Sequence, residues 1–177
     1  MRLLTVMGAA LLAVTGCGGP NQVNQGATAG AAAPAVPAGV RVVPFETLQS
    51  FLPDLPGWTR GVPSGETDTV ESVSRVTVVY EKPPGTLSFE LMDSSMSDAV
   101  LALIHEAIKG ENPELKPTTL AGFPAAEQWF DELNRGAIHV LVGGRFMVVV
   151  TGESVPGPDT IRAAAKAIDL AKLATLK

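Results

Sequence analysis

The chain has 177 residues, room for one ordinary domain with extra segments and too few for two large ones. With 46% hydrophobic and 18% charged residues it can fill a core, which excludes a wholly disordered protein. One cysteine excludes a disulfide framework and a cysteine-rich zinc site, and a net charge of −5 speaks against nucleic-acid binding by counterion release.

The N-terminus opens with Met1 and Arg2, followed by the apolar run LLTVMGAALLAVTG and then Cys17. A basic start, a short apolar stretch and a small residue before a cleavage point form an export signal. The run is too short for an ordinary spanning helix, which needs about 20 residues. Val14-Thr15-Gly16-Cys17 resembles the lipobox of bacterial lipoproteins. That resemblance implies diacylglycerol on the Cys17 thiol, cleavage after Gly16, and usually acylation of the new amine. Cys17 is then a lipid attachment point rather than a catalytic thiol. Gly18 follows it, where an aspartate commonly retains lipoproteins of Gram-negative bacteria in the inner membrane. The resemblance therefore implies an outer-membrane protein facing the periplasm in such an envelope, and a lipid-anchored envelope protein in any other.

Residues 18–40 follow, of which 15 of 23 are Gly, Ala or Pro and none is charged. Such a stretch has nothing large to bury and reads as a tether, reaching roughly 75 Å at about 3.3 Å per residue if fully extended. The expected organisation is a signal peptide over 1–16, lipidated cysteine and tether over 17–40, and one domain over 41–177.

Within the domain, Pro44 starts an apolar-periodic turn with Phe45, Leu48 and Leu52, stopped by Pro53. Leu55-Pro56-Gly57-Trp58 turns toward a first strand, and residues 61–70 read as a loop rich in Gly, Pro and acids. Val76, Val78 and Tyr80 alternate with outward residues, Pro83-Pro84-Gly85 turns the chain, and Leu87, Phe89 and Leu91 alternate again. This predicts an antiparallel hairpin over 72–93. Ser97 or Asp98 can cap a helix ending at Gly110, with Val100, Leu103, Ile104, Ala107 and Ile108 on one face.

Leu120 to Pro124 leads into a strand over 125–132. Ile138, Val140 and Val142 then alternate, as do Phe146, Val148 and Val150, and Gly143-Gly144 predicts a two-residue hairpin turn between them. A final helix is expected with Ile161, Ala164, Ala165, Ile168 and Ala171 on its apolar face. The predicted fold is α+β: a mainly antiparallel sheet of five or six strands whose apolar face meets two principal helices. Hairpin followed by helix occurs twice, which raises a repeated β-β-β-α unit beside the alternative of an ordinary meander.

Chemistry-bearing constellations are few. His105 neighbours Glu106 without sharing a helix face with it, and His139 lies opposite Ile138 and Val140 on a strand. No HExxH, EF-hand loop or Cys/His cluster occurs, so no metal or other cofactor is expected. Asp131-Glu132, and Glu66 with Asp68, are close carboxylates without the asymmetry that acid–base hydrolysis needs. Ser94, Ser95 and Ser97 lie outside any GxSxG elbow, and no phosphate-binding glycine motif precedes a helix. No catalytic residue is assigned. Trp58 and Trp129 each follow a Gly/Pro-marked turn at the start of a half, and could flank one apolar groove for a lipid, peptide or protein.

Residues 41–177 resemble the small exported or lipid-anchored domains of the PsbP-like superfamily. The likeness rests on Gly57-Trp58 after a proline, hairpins followed by helices, and Gly143-Gly144-Arg145-Phe146 before a final helix. It implies a sheet packed by helices and a non-enzymatic accessory role, with no functional residue to carry over. The expected function is a membrane-anchored exported lipoprotein with a non-enzymatic binding or envelope-accessory role, an envelope protein or a small apolar ligand being the candidate partners. A hydrolase or other small envelope enzyme, and a structural spacer lipoprotein, are the alternatives.

Overall fold

The computed structural model describes residues 41–94, 102, 104–107, 109–110 and 114–176. Cys17, Gly16, the tether and the predicted caps Ser97 and Asp98 lie outside them. Val36–Lys177 form one compact unit, separate from Met1–Ala35, and that unit holds every described strand and both apolar clusters.

The fold is α+β, built on one antiparallel sheet of eight strands rather than five or six. The strands are β1 (Thr59–Arg60), β2 (Ser64–Asp68), β3 (Val73–Lys82), β4 (Gly85–Ser94), β5 (Leu115–Leu120), β6 (Phe123–Phe130), β7 (Arg135–Val142) and β8 (Phe146–Glu153). They run in the order β1-β3-β4-β8-β7-β6-β5, with β2 also on β3. Residues 61–70 are therefore not all loop. Strand β2 reads Ser-Gly-Glu-Thr-Asp, exposed throughout, so it has no buried phase for periodicity to reveal. Strand β5 was hidden differently, because Pro117 interrupts it and its buried Leu115 and Leu120 lie on opposite faces. Proline is tolerated there because β5 is an edge strand.

The two expected hairpins are present. Val76, Val78 and Tyr80 of β3 face Leu91, Phe89 and Leu87 of β4, and all six are buried. Fully burying each such side chain contributes about 1.5–3 kcal/mol. The β7–β8 hairpin pairs Ile138 with Val150 and Val140 with Val148. Its loop has three residues rather than two, since Val142 pairs with Phe146. Gly143 and Gly144 take φ of 61° and 70°, and the Arg145 amide closes the turn on the Val142 carbonyl at 3.2 Å. The positive φ angles are the glycines' contribution. The extra residue is Arg145.

Helices cover both faces of the sheet, not one. The nine-residue helix Pro158–Lys166 lays Ile161, Ala164 and Ala165 on the main core. The helical residues around Ile104 instead bury Ile104 and Ala107 with Leu115, Ala126 and Leu141. Ala126 and Leu141 alternate with Ala125 and Val140 of the main core, so they point through the opposite face. Gly110 ends that stretch at φ 71°, as its sequence position suggests. Val100, Leu103 and Ile108 lie outside the described side chains.

The expected single final helix is broken. After Ala167 the chain restarts as Leu170–Leu173, with the Lys172 amide donating to the Asp169 carboxylate at 2.9 Å. The restart rotates the buried phase onto Leu170 and Leu173 and leaves Ala171 exposed. The other short helix, Phe45–Gln49, buries Leu48, and Phe51 and Leu52 follow it into the core. No helix among the described residues is long and apolar enough to cross a membrane.

Candidate functional site: a trough astride Trp58

The site is built where β1 meets the end of β3. Thr59 pairs with Glu81 and Arg60 with Tyr80, so the same register sets Trp58 opposite Lys82. Gly57 at φ 78° turns the chain into this position, and the Trp58 amide donates to the Leu55 carbonyl at 3.1 Å. The half-buried indole packs on the main core, and the Lys82 ammonium stands 5.9 Å from its centroid. That is a cation–π distance.

A cavity of about 540 Å³ opens on one side of Trp58. Pro83 and Pro84 from the β3–β4 turn form one wall, and Leu133, Val155 and Pro156 form the other. Its floor is tight, since a Cβ on Gly85 would stand 3.0 Å from the Ser154 carbonyl oxygen. The Val155 amide, 3.2 Å from the Asn134 carbonyl, ties the loop after β8 to the 3-10 turn Asp131–Leu133. A second cavity of about 510 Å³, on the other side, is walled by Leu55, Pro56, Leu87, Ala163 and Ala167. Trp58 and Thr160 line both, which makes one trough with the indole as its central ridge. Both volumes fall within the range of small-molecule sites.

The trough is lined by hydroxyl and charged groups as well as apolar ones. Its first cavity offers Ser154 and Thr160 hydroxyls but no histidine, cysteine or carboxylate to activate them. In the second, Asp159 is held by Arg162 at 2.7 Å and Asp54 by Arg60 at 3.5 Å. Among the described residues no three His, Cys, Asp or Glu side chains converge as a metal site.

Trp129 lines neither cavity. Its indole N–H donates to Asp131 at 2.9 Å, and its ring edge lies 2.6 Å from where a Gly136 Cβ would stand. Gly136 faces Gly152 across β7 and β8, and this pair without side chains leaves the hollow that Trp129 and Ile161 fill. The two tryptophans therefore have different surroundings: one is a ridge between cavities, the other a packed strut.

The remaining singled-out groups are held by local structure. Glu66 pairs with Arg75 at 2.7 Å, and Asp68 accepts the Val70 and Glu71 amides at 2.8 and 2.9 Å. His105 is exposed, whereas His139 is half-buried between Ala126 and Val149 of the neighbouring strands. Burial pushes the His139 imidazole below its ordinary value, favouring the neutral form. As pH falls below about 6.5 the unfolded chain then takes up this proton before the folded one. Stability should decline from pH 7 toward pH 5, and His139→Gln should flatten that part of the profile in urea titrations. An unchanged profile would show that the proton binds both states alike.

Two buried acids were not singled out by sequence. Asp93 is 1% exposed and receives Arg145 Nε and Nη2, each at 2.7 Å, and the Val43 amide at 2.6 Å. Glu127 is 4% exposed and is gripped by Arg162 of the long helix at 2.6 and 2.7 Å. Both continue the inward phase of their strands, after Leu91 and after Ala125. An acid at such a position needs a basic partner, and that was the available signal.

No known protein family matches this chain, and neither does any curated protein or solved structure.

Proposed function

We propose that this is a lipid-anchored protein of the bacterial cell envelope whose domain binds a ligand or partner in the trough around Trp58. The trough is the observation that carries the binding part. A spacer needs no cavity of several hundred Å³ lined by an indole and three prolines, and a hydrolase would need a base beside Ser154 or Thr160. The anchoring part rests on the lipobox-like Val14-Thr15-Gly16-Cys17. The accessory role implied by the PsbP-like resemblance agrees with both.

Strand β4 runs ten residues from Gly85, at the trough, to Ser94 beside Asp93. At about 3.3 Å per residue, roughly 30 Å separates the two ends. Arg145 and Asp93 hold Arg41 and Val43 at that far end.

We also read the meanders β2-β3-β4 and β6-β7-β8 as copies of one unit, meeting at the antiparallel β4/β8 pair. The copying concerns strands only. A twofold axis normal to the sheet would keep each helix on its own face, and the two helices occupy opposite faces.

A photoreactive side chain at Leu133, 55% exposed on the rim, tests the binding reading in intact cells. A discrete adduct should form there and not from position 70, where Val70 is 88% exposed outside the trough. Identical adducts from both positions, or none, would leave the spacer as the better account.

A further inference from the structure

The cavity between Pro83-Pro84 and Leu133 has a charge that the rest of the molecule does not predict. The chain carries −5 overall, yet no carboxylate lines this cavity and its one ionised group is Lys82. The Lys82 ammonium has no carboxylate partner among the described residues, and its neighbour is the Trp58 ring. Most other cations near the core are committed: Arg145 to Asp93, Arg162 to Glu127 and Asp159, and Arg75 to Glu66.

The wall around Lys82 supplies apolar surface and hydrogen-bond donors together. Trp58, Pro83, Pro84, Leu133 and Val155 offer surface with no acceptor side chain. The Ser154 and Thr160 hydroxyls and the Asn134 amide can each donate to an oxygen. Thr160 sits in the first turn of Pro158–Lys166, whose N-terminus adds to the positive potential. Asp159 in that turn is held by Arg162 and lines the other cavity.

Resting on the reading of the trough as a binding site, we propose that this cavity takes an amphipathic carboxylate. The hydrocarbon lies along Trp58 and Pro83-Pro84, and the carboxylate meets the Lys82 ammonium. A cation is disfavoured by the ammonium, which makes no ion pair among the described residues. A neutral chain would fill the walls but leave the charge without a counterpart. One ammonium with no guanidinium fork suits a monoanion better than a phosphate dianion.

The test uses the compact unit Val36–Lys177, which contains the whole described sheet and both clusters, with decanoate and 1-decanol titrated calorimetrically at pH 7. Decanoate should bind about tenfold more tightly than decanol, the scale of one charge-assisted contact. That preference should shrink as salt is raised. Lys82→Met should remove the preference by weakening decanoate binding, with the melting temperature unchanged, since Lys82 is exposed. Equal binding of the two compounds, or a preference that survives Lys82→Met, would overturn the carboxylate assignment and leave the trough reading standing. If neither compound binds, the carboxylate assignment fails and the crosslink from position 133 decides the trough reading. If Trp58→Ala binds both as well as the native unit while keeping its melting temperature, the compounds do not sit in the trough and the assignment fails as well.

Discussion

Replacing Asp93 by alanine is expected to cost about 3 kcal/mol of stability, read as a lowered urea midpoint with unchanged slope. Asp93 is 1% exposed and its partner Arg145 is 19% exposed, so the pair is screened by solvent much less than the surface pairs that are nearly worthless. The substitution strands the guanidinium beside Phe146, 4.9 Å from its ring, without the two carboxylate oxygens that hold it. It also orphans the Val43 amide, which adds about 1 kcal/mol. Against a total stability of about 5–15 kcal/mol, this is a large share. Removing both charges together, as Asp93→Leu with Arg145→Met, should cost clearly less than Asp93→Ala, because no buried charge remains unpaired. A loss from Asp93→Ala no larger than that of an exposed pair, under about 1 kcal/mol, would show that water replaces the carboxylate at Arg145.

The same residue shows where the sequence was legible and where it was not. The pairs β3–β4 and β7–β8 could be read because each strand buries one face, and alternation is the imprint of a half-buried strand. Strands β2 and β5 lie at the edges, one with no buried side chain and the other crossed by Pro117, so neither carries that imprint. The break before Leu170 was illegible for another reason: Ile161, Ala165 and Ile168 fit one continuous helix, and only the Asp169 cap marks the restart. Asp93 and Glu127 stood in plain view on inward phases, but their partners come from 52 and 35 residues away. Pairing at that range depends on the topology.

The trough was half legible. Trp58 was marked by its Gly-Pro turn, but the register that sets Lys82 opposite it depends on a two-residue strand. Trp129 carries a similar local mark and has a different fate, decided by Gly136 and Gly152 meeting across β7 and β8. A glycine in a strand often signals a close approach, yet two of them must face each other to make a seat for an indole. What cannot be read along the chain is which side chain a missing Cβ admits.

Replacing Cys17 by alanine is expected to abolish lipid labelling altogether and to block normal processing, the largest effect of any single substitution in this chain. The thiol is the chain's only sulfhydryl, so no second position can receive the diacylglyceryl group. At ~0.8 kcal/mol per buried CH₂, one acyl chain holds a protein only marginally, whereas two or three hold it stably. Acylation should therefore be all or none. The intact mass of the natural mature protein should correspond to a chain starting at Cys17 with added acyl groups, and the variant should keep residues 1–16 or be cut at another site. The domain should not notice the change, because Cys17 lies outside the unit Val36–Lys177 that holds the described sheet. Equal melting temperatures for the two proteins would thus accompany opposite results for fatty-acid labelling. A Cys17→Ala protein that still incorporates labelled fatty acid would mean that the anchor is elsewhere.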